Sequence, residues 1–147
     1  MHFADATLPL WTCPSCGHRF VTRNMWHSCS QHDLEEHFKG KPARTRELFD
    51  TWLCFVKQFG DVTVIPQKTR ISFQVRVRFA GAVIRKNWVE CGFWLKRSVK
   101  DARFSRVEKI TAHDYVYTFR LTDESQLDKT LKKHLREAYQ VGCQAMK

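Results

Sequence analysis

The spacing of apolar positions changes character along this chain, and each change marks an element. After Pro42, the residues Leu48, Trp52, Phe55, Val56 and Phe59 recur at i, i+4, i+7, i+8 and i+11. That recurrence is one stripe of a helix facing a core. Pro42 suits the first turn and Gly60 suits the position after the end. From Ile71 the period falls to two. Ile71, Phe73, Val75 and Val77 alternate with Ser72, Gln74, Arg76 and Arg78, which predicts a half-buried strand through residues 68–78. Gly81 can supply a turn or bulge. The segments "AVIRK", "WVECGFWL", "FSRVEKIT" and "YVYTFRL" predict further strands. Their connections are short, so an antiparallel meander is expected. The 3.6-residue period returns in "DESQLDKTLKKHLREAYQVG", where Leu127, Leu131, Leu135 and Ala138 form the stripe. Asp123 with Gln126 reads as a capping-box start, and Gly142 as the stop.

Helix, strands, helix is an α+β order, with both helices expected on one sheet face. Gly40 and Pro42 interrupt the pattern in "FKGKPART". The chain therefore divides into a head, residues 1–40, and an α+β body, residues 41–147. The head has little apolar sequence of its own but holds "WTCPSCGHRFVTRNMWHSC".

That stretch is rich in metal-ligating types. Cys13 and Cys16 form a C-x2-C turn followed by Gly17, and two thiolates so spaced can reach one zinc ion at about 2.3 Å. A glycine after the turn can adopt positive φ. The second pair is read as His27 and Cys29, which point the same way in an extended segment. Cys29 with His32 is the competing pair, but only two residues separate them, short of the usual three to five. Four protein ligands would close the site and make the zinc structural, since a catalytic zinc keeps an open position. Trp11, Phe20 and Trp26 would pack around it. A redox role for the C-x2-C fits less well, because no βαβ pattern follows.

Charge adds a second candidate. Residues 68–109 hold 12 Lys/Arg against 3 Asp/Glu, within a chain of net charge +10. Such asymmetry points to an anionic partner, nucleic acid being the commonest. The predicted strand would place Lys68, Arg70, Arg76 and Arg78 on one face with Ser72 and Gln74. Arg85 and Lys86 would extend the patch. Trp88 and Trp94 have the parity opposite to Val89, Cys91, Phe93 and Leu95, and so fall beside the cations. Cations interleaved with aromatics suit phosphate contact and base stacking. The plainer reading is a solvated sheet face, which must carry polar residues of some kind.

Other classes find less in the sequence. No leader pattern opens it, and no apolar run approaches the ~18 residues of a membrane span. A cytoplasmic location with reduced thiols is expected, and with it no disulfide framework. Cys54 and Cys91 read as small buried hydrophobes. Glycine-rich phosphate loops, G-x-S-x-G and paired-carboxylate signatures are absent.

The motifs "WTCPSCGHRF", "HSC", "EEHFKGKP" and "VTVIPQKTRISFQ" resemble an uncharacterised bacterial family, a domain of unknown function (DUF5655), over residues 11 to about 140. The resemblance implies a zinc-knuckle-like head on a compact α+β body, with the second ligand pair supplied by His27 and Cys29. It implies no activity. The body also bears a fainter likeness to small bacterial proteins of the YdhG type, some of them described as frataxin-like iron chaperones, which implies only helices on an antiparallel sheet. The sequence thus points to a non-enzymatic, zinc-containing module for an anionic partner. Alternatives are a ligand-binding or catalytic pocket between sheet and helices, or a metal-handling protein.

Overall fold

The computed structural model of the chain describes residues 9–21 and 32–144. The head contributes a two-stranded ribbon, β1 (Trp11–Thr12) and β2 (Arg19–Phe20), with Trp11 opposite Phe20. A 3-10 turn at Leu34–Phe38 leads to α1 (Ala43–Lys57). Six strands follow: β3 (Thr63–Pro66), β4 (Ile71–Gln74), β5 (Arg78–Ile84), β6 (Val89–Leu95), β7 (Phe104–Thr111) and β8 (Asp114–Leu121). The helix α2 (Lys129–Cys143) comes after them. The body is α+β, a six-stranded antiparallel sheet with two helices.

Both helices pack on one sheet face. Leu48, Phe49, Trp52 and Val56 of α1, with Leu131, Leu135 and Ala138 of α2, share a single core with Phe73, Ala82, Cys91, Phe93, Tyr117 and Phe119. The core is built of rings: Trp52 meets Phe119 edge-on at 5.5 Å, and Phe93 stacks on Tyr117 at 5.7 Å. Trp52 satisfies its indole N–H by donating to the Gly81 carbonyl at 3.0 Å. The α1 stripe also takes in Phe49, outside the five positions read from spacing. Cys91 is buried as expected, and burial pushes its thiol pKa well up. Cys54 is exposed on the outer side of α1, against expectation.

Three features depart from the sequence reading. No single strand runs through residues 68–78. The amides of Arg76 and Val77 donate to the Gly142 carbonyl at 2.9 and 3.1 Å instead of across the sheet. The chain therefore bends at residues 75–77, and Phe79 enters β5 as a bulged residue, where the register shifts between Phe73 and Gln74 of β4. Next, the strand order is β3-β4-β5-β6-β8-β7, so the meander is broken once: β8 lies between β6 and β7. Finally, the capping box at Asp123 and Gln126 is real but caps a separate 3-10 turn, Glu124–Gln126. The helix α2 has its own cap, the Asp128 carboxylate accepting from the Leu131 amide at 2.9 Å.

Gly142 does not stop α2. The helix runs to Cys143, and Gln144 caps it in a left-handed conformation. Gly142 is buried, and a Cβ there would come within 2.4 Å of the Phe79 ring. Its smallness lets α2 approach the bulge on β5.

Candidate functional site: the open face of the sheet

Strand alternation decides what the second sheet face carries. Opposite the core residues of β4, β5, β6 and β8 stand Ser72, Gly81, Gly92 and Thr118. Register places these four side by side: Ser72 opposite Gly81, Gly81 opposite Gly92, Gly92 opposite Thr118, and Thr118 opposite Arg106 on β7. With strands about 4.8 Å apart, the row from Ser72 to Thr118 crosses roughly 14 Å of sheet. Its middle has no side chains. The result is a cavity of about 370 Å3 on this face, lined among others by Arg70, Arg78, Arg85, Glu90, Trp94 and Arg106. That volume falls in the ~300–1,000 Å3 range of small-ligand sites.

The two glycines have different causes. At Gly81 a Cβ would sit 2.5 Å from the Ile71 carbonyl oxygen, so the close approach of β4 requires glycine. At Gly92 a Cβ would meet only the Tyr117 carbonyl at 3.6 Å and the Thr118 hydroxyl at 3.9 Å, ordinary contacts. Nor does Gly92 have positive φ. A glycine inside a strand weakens it, and often marks a close approach by a ligand or another backbone. Nothing in the fold demands one here.

The cations of the cavity fall into two kinds. Arg85 pairs with Glu90 at 3.3 Å, and Arg106 pairs with Glu108. Arg70 and Arg78 have no acid partner among the described residues. Arg78 is half-buried, its guanidinium lies 5.5 Å from the centre of the Phe20 ring, and its Nε is buried without a hydrogen-bond acceptor. Burial, with the like charge of Arg70 next in weight, lowers the Arg78 pKa from its usual value. Two guanidinium groups lining one cavity without a paired carboxylate favour negative charge there.

Of the residues singled out from sequence, Arg70, Arg78, Arg85 and Trp94 line this cavity. The others do not. Lys68 is exposed in the β3–β4 connection and Lys86 in the β5–β6 turn, where its carbonyl accepts from the Thr45 hydroxyl at 2.7 Å. Arg76 is turned by the bend to the end of α2, donating from Nε to the Gln144 side chain at 3.0 Å. Trp88 lies at the far end of β6, half-buried with Arg120 4.8 Å from its ring centre. Arg106, Thr118 and Gly92 were missed. Only Gly92 left a signal in the sequence, as the one residue without a side chain in the alternating run "WVECGFWL".

The head meets the sheet beside this cavity. Gln74 is 3% exposed and donates from Nε2 to the carbonyl oxygens of Arg19 at 2.6 Å and Arg76 at 3.2 Å. A second cavity of about 250 Å3 lies there, lined by Cys16, His18, His32, Val64 and Gln74 among others. Both cavities lie away from the layer between sheet and helices. In the C-x2-C turn, the Gly17 amide donates to the Cys13 carbonyl and the Cys13 amide to the His18 carbonyl, each at 2.9 Å. Gly17 has φ of 78°, and Cys13 and Cys16 are both buried. The tight turn expected of the C-x2-C segment, with a positive-φ glycine after it, is therefore present. His27 and Cys29 lie outside the described residues, and no cluster of three or more potential metal ligands occurs among the described ones.

A family model for a domain of unknown function (DUF5655) matches residues 34–142. The chain belongs to that family. The match takes in the 3-10 turn, α1, the whole six-stranded sheet and nearly all of α2, so the DUF5655 domain is the body and its open face. It starts after the Cys/His stretch, whereas the resemblance read from sequence began at residue 11. Comparison with curated proteins and with solved structures finds no match. No helix among the described residues is long and apolar enough to cross a membrane.

Proposed function

We propose that this DUF5655 chain is a non-enzymatic binding module for an anionic partner, nucleic acid, held on the open face of its sheet. The observation that supports the reading is that Arg70 and Arg78 line one cavity, Arg78 half-buried and repelled by Arg70, with no carboxylate paired to either among the described residues. A phosphate at that point would accept from both guanidinium groups and relieve the repulsion between them. The acids on the same face, Glu90 and Glu108, are each engaged by an arginine and so do not cancel the pair. A surface of this kind binds chiefly by displacing counterions, so affinity falls steeply with salt.

The head would be a structural zinc knuckle with Cys13, Cys16, His27 and Cys29 as ligands, and the tight turn around Gly17 supports that use. The zinc would hold β1–β2 in place against Gln74 and Arg78, at the border of the anion site. The location would be cytoplasmic.

Fluorescence anisotropy with a labelled single-stranded 12-mer, at about 50 and 200 mM salt, tests the anion reading. Binding at the lower salt, lost in Arg70→Ala/Arg78→Ala with thermal stability kept, is expected. No binding by the wild-type chain at low salt overturns it. Metal analysis tests the head: one equivalent of zinc, absent from Cys13→Ser, is expected, and a metal-free wild-type protein removes the zinc.

A further inference from the structure

We infer that the cavity on the open face is a nucleotide subsite, in which a planar ring lies on the Gly81–Gly92 floor and its phosphate meets Arg70 and Arg78. This rests on the anion reading above and adds to it the part of the ligand that is not charged.

Four observations converge on a ring. The floor lacks side chains for two neighbouring strands, because Gly81 and Gly92 are direct partners. A flat group can therefore reach backbone there, which no other residue type would allow. Trp94 and Val83 line the same cavity on either side of the floor, one as an aromatic neighbour and one as an apolar stop. Thr118 and Glu90 also line it and supply a hydroxyl and a carboxylate at the ring's edge, able to meet the N–H and C=O groups of a base. Arg70 and Arg78 line it as well, and they are the cations without acid partners. A phosphate alone would need the arginines but neither the bare floor nor the tryptophan. An apolar ligand would need the floor but not the arginines. A nucleotide uses both.

Gly92 separates a folding requirement from a ligand requirement. A Cβ at this position meets only ordinary contacts, and the backbone is accessible to any residue. The position is nevertheless bare, at the centre of the sheet, where a β-branched or aromatic residue would strengthen the strand. Space above β6 is the physical return for that weakness.

The same chemistry has two sources, a free nucleotide or one unit of a single strand. A duplex is unsuited, because its rings are stacked and covered.

The test uses the full chain, a labelled dT 12-mer, an abasic 12-mer of the same length, and 5′-AMP. Gly92→Leu fills the trough without touching the arginines. It is expected to weaken binding of the dT strand by about tenfold or more, the scale of one base–aromatic stack. Binding of the abasic strand should stay within about twofold, because its phosphate contacts are unchanged. Trp94→Ala, on the same open face, should act in the same direction and serves if Gly92→Leu lowers the melting temperature. Wild-type affinity for the dT strand in both variants overturns the ring subsite. If Arg70→Ala/Arg78→Ala still weakens both strands in that case, the anion reading survives alone. If the wild-type chain binds neither strand nor 5′-AMP, both fall. Stronger binding of the strand than of 5′-AMP assigns the subsite to nucleic acid, and saturable binding of 5′-AMP with no gain from the strand assigns it to a free nucleotide.

Discussion

The two faces of the sheet share every backbone hydrogen bond and differ in almost everything else. The helix-covered face carries Phe73, Phe93, Tyr117 and Phe119, all fully buried and in ring-to-ring contact with each other or with Trp52. The open face carries Ser72, Gly81, Gly92 and Thr118 at the corresponding positions, with arginines around them. One face is set by packing. The other spends its central positions on empty space, and that is the part of the molecule that folding does not explain. Substitutions at neighbouring residues of β6 should therefore behave oppositely.

The largest effect is expected on the covered face. Phe93 touches Phe104, Tyr117 and His134, and Phe93→Ala should cost about 3–5 kcal/mol of stability in a denaturant titration. Gly142→Ala should cost about 1–3 kcal/mol by overpacking, since its Cβ would press on the Phe79 ring, and Gly142→Ala/Phe79→Leu should recover part of it.

A further effect on this face depends on pH. His134 is buried against Phe93 and Phe104, and neither ring nitrogen has a hydrogen-bond partner. Burial lowers its pKa below the ordinary histidine value, and Asp101 and Glu137 oppose that while Arg97 and Arg103 reinforce it. The neutral ring is the one the fold prefers. The unfolded chain takes up its proton first as pH falls past about 6.5, so the stability His134 contributes is full above that pH and lost below it. Urea midpoints measured from pH 8 to pH 5 should decline, and His134→Phe should flatten the decline.

The smallest effect separates the two faces most sharply. Gly92→Ala, next to Phe93 in sequence but on the open face, should leave stability unchanged or raise it by about 0.5–1 kcal/mol. A loss comparable to that of Phe93→Ala would mean that the open face is packed after all.

The covered face was legible in the sequence because packing leaves a period. The stripes of α1 and α2 and the alternation in β6 each repeat, and the expected core residues are largely the observed ones. The open face left no such trace. Its cations Arg70 and Arg78 were read on one face of a single strand, yet Arg70 precedes β4 and Arg78 opens β5. The bend between them depends on the Gly142 carbonyl, some sixty-five residues away, taking the amides of Arg76 and Val77. No local pattern records a bond of that range. Arg106 reaches the site only because β8 is inserted before β7, which short connections do not foretell. The head's Cys13–Gly17 turn was legible for another reason: its closing bond, from the Gly17 amide to the Cys13 carbonyl, spans only four residues.

The inserted strand also bears on how the molecule assembles. β7 joins the sheet only through β8, so it has nothing to dock on until β8 exists. The two are linked by the Ala112–His113 turn, with the Thr111 hydroxyl donating to the Asp114 carboxylate at 2.6 Å. They should form as a local hairpin and add to β6 as a unit. The outermost strand then exposes Arg106 and Lys109 beside Val107 and Ile110, and it carries two register shifts. Such an edge discourages other chains from pairing with it. In native-state hydrogen exchange, the β8 amides should be among the last to exchange and the outward amides of β7 among the first, so the sheet would loosen from this rim inward while the glycine floor is still intact.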